Sequence, residues 1–411
     1  MLTLYIYVSN IFHFFSTFFL YIRVLKNKED PLRYKEKLGK YEIQNTSTVI
    51  WFHAASLGEL QSVLPIIFHY SKNEIYKILI TTITLSSSRY CTDVFKNHPN
   101  IIHQFAPLDT PIIVKKFLNH WRPKVSIFVE SELWPNLILE SKKSSKLILL
   151  NARMSKKSFS RWRLLKKFAT KILNHFDSIL PQSKETKDFI EFFDTKNIYY
   201  FGNLKFISLN ELPNNTSFNF EKKIKHTWVA MSTHQGEEDL IVKTAKNIKE
   251  KNIKSQCILI PRHINRVKEI TKIIKANNLT YQLKSQEAKP FENVDFYILD
   301  SYGEAKEIFK KVSLVFLGGS IVPHGGQNPL EPAREGCFLF HGPNVSNFKE
   351  IYEFLNKNEI SKLVTCDQSL TKELVLKFEN PVNNIEFQEK MEQCSQKILL
   401  DHTNYLNSFI K

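Results

Sequence analysis

Two groups of residues in this 411-residue chain are of types and spacings that could do chemistry. The first is glycine-rich. The stretch Phe316 to Pro343, FLGGSIVPHGGQNPLEPAREGCFLFHGP, holds six of the eleven glycines in the sequence. Glycine lets the backbone turn through positive φ or come close to a ligand. Gly318 and Gly319 end a short apolar run, Gly325 and Gly326 form a turn, and Asn328-Pro329-Leu330-Glu331 reads as a helix start, with Asn at the cap and Pro in the first turn. A strand, a glycine turn and a helix N-terminus suit an anion. An ordinary strand-loop-helix connection accounts for one glycine pair but poorly for six glycines and a capped helix. Nearby, Arg262 and His263 are fitted to a phosphate, and Tyr302-Gly303-Glu304 to a sugar-base unit.

The second group is charged. Glu59 lies in the turn His53-Ala54-Ala55-Ser56-Leu57-Gly58-Glu59, and Glu130 and Glu132 stand beside Trp134. Arg153 follows Asn151-Ala152, and Lys205 follows Gly202-Asn203-Leu204. Each segment follows an apolar run that reads as a strand. If those strands are parallel, Glu59, Glu130, Arg153 and Lys205 converge at one sheet edge, where open α/β folds bind ligands. A structural Glu130–Lys205 ion pair, with Glu59 only complementing a helix dipole, is the plainer alternative.

These residues need a scaffold. Strands are expected at Val49–His53, Ile78–Thr82, Ile101–Phe105, Val125–Val129, Leu147–Leu150, Ser178–Leu180 and Ile198–Phe201. Helical stretches such as Thr110–Asn119 and Trp162–Asn174 lie between them, giving a βαβ series. A second series runs through Trp228–Met231, Cys257–Ile260, Phe296–Leu299, Leu314–Leu317, Phe338–Phe340 and Lys362–Thr365. The expected division is a hydrophobic helix over 1–22, a Rossmann-like domain over 23–207, a linker over 208–225, a second Rossmann-like domain over 226–385, and a C-terminal helix over 386–411 that packs back on the first domain.

Composition narrows the class. Apolar residues at 43% and charged residues at 24% are ordinary for a folded chain, and the net charge of +16 favours polyanions without choosing among them. Five scattered cysteines with no C-x-x-C pair argue against a disulfide framework or a zinc site. Leu2 to Ile22 has no acidic, Lys or Arg residue and is long enough to cover about 30 Å of hydrocarbon. Arg23, Lys26 and Lys28 follow it and place the remainder on the cytoplasmic side. Ser9, Asn10, His13, Ser16 and Thr17 weaken a full span and leave an interfacial helix as a competitor.

Together, the motifs His53–Glu59, Glu130-Ser131-Glu132-Leu133-Trp134-Pro135-Asn136, Asn151-Ala152-Arg153, Ser232-Thr233-His234-Gln235-Gly236-Glu237-Glu238, Pro261-Arg262-His263 and Gly325-Gly326-Gln327-Asn328-Pro329-Leu330-Glu331-Pro332 closely resemble the 3-deoxy-D-manno-octulosonic acid (Kdo) transferases of Gram-negative bacteria. The resemblance runs from the N-terminal segment to about residue 350. It departs at Gln327, where the family usually has His, and at Ser301-Tyr302, where it usually has Thr-Met.

The resemblance implies a GT-B architecture: two Rossmann-like domains facing a cleft, with a membrane-associated N-terminal helix. It implies transfer of Kdo from CMP-Kdo to the lipid A precursor, lipid IVA, at the cytoplasmic leaflet of the inner membrane. The family's catalytic base falls on Glu59 and its transition-state partners on Glu130 and Lys205. Its CMP contacts fall on Pro261, Arg262, Tyr302, Gly303, Glu304, Asn328, Pro329, Leu330 and Glu331. No cofactor, metal or nucleic acid is expected, and the chain lacks a D-x-D cluster. A carboxylate base and a nucleoside monophosphate leaving group fit a direct displacement with inversion. The rivals are a GT-B enzyme using a UDP-sugar and, from another class, a basic membrane-tethered nucleic-acid-binding module, which leaves the glycine cluster and Glu59 unexplained.

Overall fold

The computed structural model describes residues 1–43, 47–207, 220, 222, 224–286 and 293–410. Most of the expected linker, at 208–219, 221 and 223, lies outside the described residues. The chain forms two units. The first comprises Met1–Leu212 with Ser395–Lys411, and the second Pro213–Cys394.

The first unit opens with α1 (Leu2–Leu25). It then alternates β1 (Thr48–His53), α2 (Leu57–Ser71), β2 (Tyr76–Thr82), α3 (Leu85–Val94), β3 (Ile101–Phe105), α4 (Pro111–Trp121), β4 (Pro123–Val129), α5 (Pro135–Ser141), β5 (Lys146–Ala152), α6 (Lys156–Arg163), α7 (Lys166–Leu173), β6 (Ser178–Pro181) and α8 (Lys184–Glu191). The six strands are all parallel in the order β3-β2-β1-β4-β5-β6. This is the doubly wound order whose direction reverses between β1 and β4. Val49 to His53 is buried without interruption because helices cover both faces. Trp51 packs its ring against Phe117 of α4 and Phe128 of β4 at 4.7 and 5.3 Å. Ser56, Thr84, Thr110, Ser155 and Ser183 accept backbone N–H groups at the starts of α2, α3, α4, α6 and α8, which fixes where each helix begins after its strand.

The second unit repeats the plan with β7 (His226–Thr233), α9 (Glu238–Glu250), β8 (Ser255–Pro261), α10 (Val267–Ala276), β9 (Tyr281–Leu283), β10 (Phe296–Ile298), α11 (Ala305–Phe309), β11 (Leu314–Leu317), α12 (Leu330–Arg334), β12 (Phe338–His341), α13 (Lys349–Lys357), β13 (Ser361–Leu363) and α14 (Asp367–Glu379). Its parallel order is β13-β12-β11-β7-β8-β10-β9, with the reversal between β11 and β7. The last helix, α15 (Asn384–Ile410), contributes its C-terminal part to the first unit. There Tyr70 Oη donates to Thr403 O at 3.2 Å, and Lys124 Nζ to Ile410 O at 2.8 Å.

Three local expectations need correction, and one strand has no counterpart among them. Ile198–Phe201 forms only an isolated bridge from Ile198 to Ile179, because the rings of Tyr199 and Phe201 pack on Tyr405 of α15 and not in a ladder. Trp162–Asn174 is two helices: α6 buries nothing while α7 buries Ala169, Ile172 and Leu173, so the break at Leu165 re-aims the chain. The three-residue edge strand β9 carried no apolar periodicity to find it by. Finally, α12 is a five-residue helix capped at Pro329. Asn328 precedes the cap and accepts the Leu330 N–H at 3.1 Å.

Candidate active site

In the first unit the charged residues gather where the strand order reverses. Glu59 is the third residue of α2, directly after β1. Its N–H donates to Ser56 Oγ at 3.3 Å, while its Oε2 accepts N–H groups from Ala55 at 2.7 Å and Ser56 at 3.4 Å, which completes a capping box. Among the described residues Oε1 has no hydrogen bond, so one oxygen is anchored and the other is available. Burial, followed by the charge of Glu132, pushes the carboxyl up to about 7, against the pull of the Ala55 N–H. Glu130 adds to the rise.

Glu130 follows β4 on the other side of the reversal. It is buried, and its φ of 54° lies in the left-handed region that side chains rarely adopt. Two backbone bonds hold it there, from Glu130 N to Leu150 O and from Arg153 N to Glu130 O, each 3.0 Å. Such strain persists only where the surroundings over-determine it, and it concentrates at functional positions. The carboxylate forms an ion pair with Lys205 Nζ at 2.7 Å and lies 3.9 Å from Arg153 Nη1. Asn151, also at φ 54°, accepts the N–H of Leu204 at 3.2 Å and so seats the turn that carries Lys205.

Glu132 completes the group. It lies 3.5 Å from His53 Nε2 and accepts the Trp134 indole N–H at 2.6 Å. Burial would raise its carboxyl, but the His53 ring and the indole outweigh it and hold it below the usual range. His53 in turn is fixed by Thr81 Oγ1 at 2.9 Å. Sequence reasoning placed Glu59, Glu130, Arg153 and Lys205 at one edge, and the fold brings them together. It gave no role to Glu132 as the anion that sets the Glu59 proton affinity.

In the second unit the turns after β7 and β11 meet at the reversal. Where the strand ends at Gly318 and Gly319, within the stretch whose strand, glycine turn and helix start suit an anion, the protein supplies an anion of its own. Buried Glu237 accepts N–H groups from Gly319 at 2.7 Å, Ser320 at 3.0 Å, Ile321 at 2.9 Å and His234 at 3.0 Å. Those donors are therefore committed internally. Gly318 is demanded by packing, since a Cβ there would stand 2.4 Å from Ser232 O.

What the turns present outward is a ring cluster. His234 stacks on His324 with centroids 4.2 Å apart and meets His263 edge-on at 6.0 Å, and Gln327 Nε2 lies 3.1 Å from His234 Nε2. Burial, then the neighbouring His324, lowers the His234 pKa. Pro261 closes β8, and the exposed Arg262 donates its N–H to Thr233 O at 3.1 Å. Tyr302 is exposed, Gly303 has φ 95°, and Glu304 is paired with Lys284 and accepts Ser301 Oγ at 2.7 Å. Asn328 and Glu331 are exposed, whereas Pro329 and Leu330 are buried. Glu237 and His324 were given no role from sequence. The only signal for Glu237 was its place in the Ser232–Glu238 motif.

Two parallel doubly wound units, each with its polar cluster at the order reversal, define the GT-B fold. A glycosyltransferase from Rickettsia africae has this fold at a TM-score of 0.56 and 11% identity, over 89% of this chain and 100% of that one. The sequence model of the family described as 3-Deoxy-D-manno-octulosonic-acid transferase (kdotransferase) matches residues 32–208. The 3-deoxy-D-manno-octulosonic acid transferase of Rickettsia bellii is 35% identical over 405 residues, covering 95% of each chain. That of Rickettsia felis is 34% identical over 382 residues, 90% of this chain and 81% of the relative. The chain belongs to the Kdo transferase family.

Proposed function

We propose that this glycosyltransferase moves Kdo from CMP-Kdo to the lipid A precursor lipid IVA at the cytoplasmic face of the inner membrane, with Glu59 as general base. An acceptor hydroxyl oxygen forms the bond to the anomeric carbon and loses its proton to Glu59. The bond from that carbon to the CMP phosphate breaks, and CMP leaves with the electron pair. One base and one displacement give inversion. Glu130 and Lys205 assist the transition state. Pro261, Arg262, Tyr302, Gly303, Glu304 and the segment Asn328 to Glu331 hold the nucleotide, the exposed Asn328 and Glu331 by contact and the buried Pro329 and Leu330 by shaping the turn. No DNA or RNA partner is part of this reading.

One observation carries the proposal. A carboxyl whose Oε2 is fixed by two backbone N–H groups, whose Oε1 is unbonded among the described residues and whose pKa is raised to about 7 is suited to accept a proton near neutral pH. The test is Glu59→Gln assayed with CMP-Kdo and a tetraacyl disaccharide phosphate, read as product mass. Gln preserves a capping box, so the melting temperature should hold while turnover falls by about 10²–10⁴-fold. Turnover within threefold of the native chain would remove Glu59 from the mechanism. Thermal protection by UDP and not by CMP would favour the UDP-sugar reading.

A further inference from the structure

The helix α1 is inside out for a surface helix of a folded unit. Its protein-facing stripe is Tyr5, Ser9, His13, Ser16, Leu20 and Arg23, and most of these meet polar partners. Tyr5 Oη donates to Asp109 Oδ2 at 2.7 Å, and Asn136 Nδ2 donates to Ser9 Oγ at 3.0 Å. Thr110 Oγ1 lies 3.4 Å from His13 Nδ1, and Arg23 Nε donates at 2.6 Å to the buried Glu29, which also holds Lys37. Ser9, Ser16 and Leu20 are buried. The opposite face carries Leu4, Tyr7, Ile11, Phe14, Phe15 and Phe18, with Phe14 81% exposed. An ordinary surface helix shows the reverse polarity.

Length decides what this face is for. From Tyr5 to Arg23 the docked stripe runs 18 residues, about 27 Å of helix, nearly the full hydrocarbon thickness of a bilayer of about 30 Å. A spanning α1 that kept these contacts would draw Asp109 and Asn136 into hydrocarbon, where ionisable and polar groups are expensive. We infer that α1 is an in-plane anchor: its outer face sits in the acyl region of one leaflet while its inner face stays on the first unit, and it does not cross. The occupant is an anionic lipid surface and not a second copy of this chain. Exposed Lys26 and Lys28 follow the end of the helix. The exposed basic residues Lys157, Arg161, Arg163 and Lys167 lie on α6 and α7, on either side in sequence of Leu164, which is 82% exposed, and α5 packs on both α1 and α7. Basic residues at the end of an apolar helix face and on the same folded unit match anionic headgroups. This deepens the proposed membrane acceptor reading and rests on it only for the choice of bilayer.

The test uses the full chain in a Cys366→Ser/Cys394→Ser background with spin labels at Leu4→Cys, Ile11→Cys, Phe18→Cys and Leu25→Cys. These outer positions are seven residues apart. On phosphatidylcholine/phosphatidylglycerol vesicles all four should lie at depths within about 5 Å of one another. A span would put Ile11 and Phe18 about 10 Å deeper than Leu4 and Leu25, and that profile would overturn the inference. In parallel, Phe14→Ser/Phe18→Ser should lower vesicle binding at least about tenfold, with transfer to detergent-dispersed acceptor unchanged. A native chain that stays off vesicles, or hides this face in a dimer, also overturns it. Absence of Kdo transfer in detergent would instead sink the catalytic reading and leave the depth profile intact.

Discussion

If Glu59 must be ionised to accept a proton, the pH profile of transfer should report its displaced affinity. With a pKa of about 7, the carboxylate fraction is about one-eleventh at pH 6 and ten-elevenths at pH 8, so kcat/KM should rise about tenfold over that interval. An ordinary carboxyl near 4.5 would leave the interval flat. The perturbation that tests the cause is Glu132→Gln. Gln can still accept the Trp134 indole, so the local packing survives while the negative charge that ranks second only to burial in raising Glu59 disappears. A charge pair near a protein surface is worth on the order of 1 kcal/mol, which moves the acid limb down by about half to one pH unit. At pH 6 the variant should therefore outperform the native chain several-fold once each is normalised to its plateau. The assay is initial rate against CMP-Kdo and tetraacyl acceptor from pH 5.5 to 9, with the folded fraction checked at each pH. A flat profile, or a limb that stays put in a folded Glu132→Gln, would refute the assignment of both residues.

Two further outcomes follow from the second unit. Glu237→Ala strips the shared acceptor from the N–H groups of His234, Gly319, Ser320 and Ile321, which should cost on the order of 3–5 kcal/mol. Calorimetry should show that unit's transition fall by about 10 °C or more; Glu237→Gln should be nearly as damaging, because its NH2 would face two of the four donors, and a normal transition in either variant would deny the anchor. Gly318→Ala would set a methyl 2.4 Å from the backbone carbonyl oxygen of Ser232, which cannot swing aside as a side chain could, and should cost about 1–3 kcal/mol in the same measurement, with an unchanged transition counting against that close approach.

The part of this fold that could be read from sequence is the part written locally. The run Val49–His53 followed by small residues and Ser56-x-x-Glu59 specifies a strand, a sharp turn and a capped helix within a dozen residues, and those elements form there. Glu130 is different. Nothing in Val129-Glu130-Ser131 says that Glu130 adopts φ 54°, because that conformation is imposed by Leu150 and Arg153, about twenty residues away. The glycine stretch shows the same limit from the other side. Its glycines were legible as a demand for close backbone approach, and Gly318 meets that demand at Ser232. What approaches the Gly319–Ile321 amides, however, is Glu237, about eighty residues earlier in the chain. A run of N–H donors at a strand end states only that an acceptor is needed. Whether that acceptor is a ligand or the protein's own carboxylate is settled by the neighbouring strand, and β7 becomes the neighbour of β11 only when the sheet order is complete. It follows that an anionic donor in this unit should be sought at the exposed Arg262, His263 and His324, beside the half-buried His234, and not at the Gly319–Ile321 amides that Glu237 already holds.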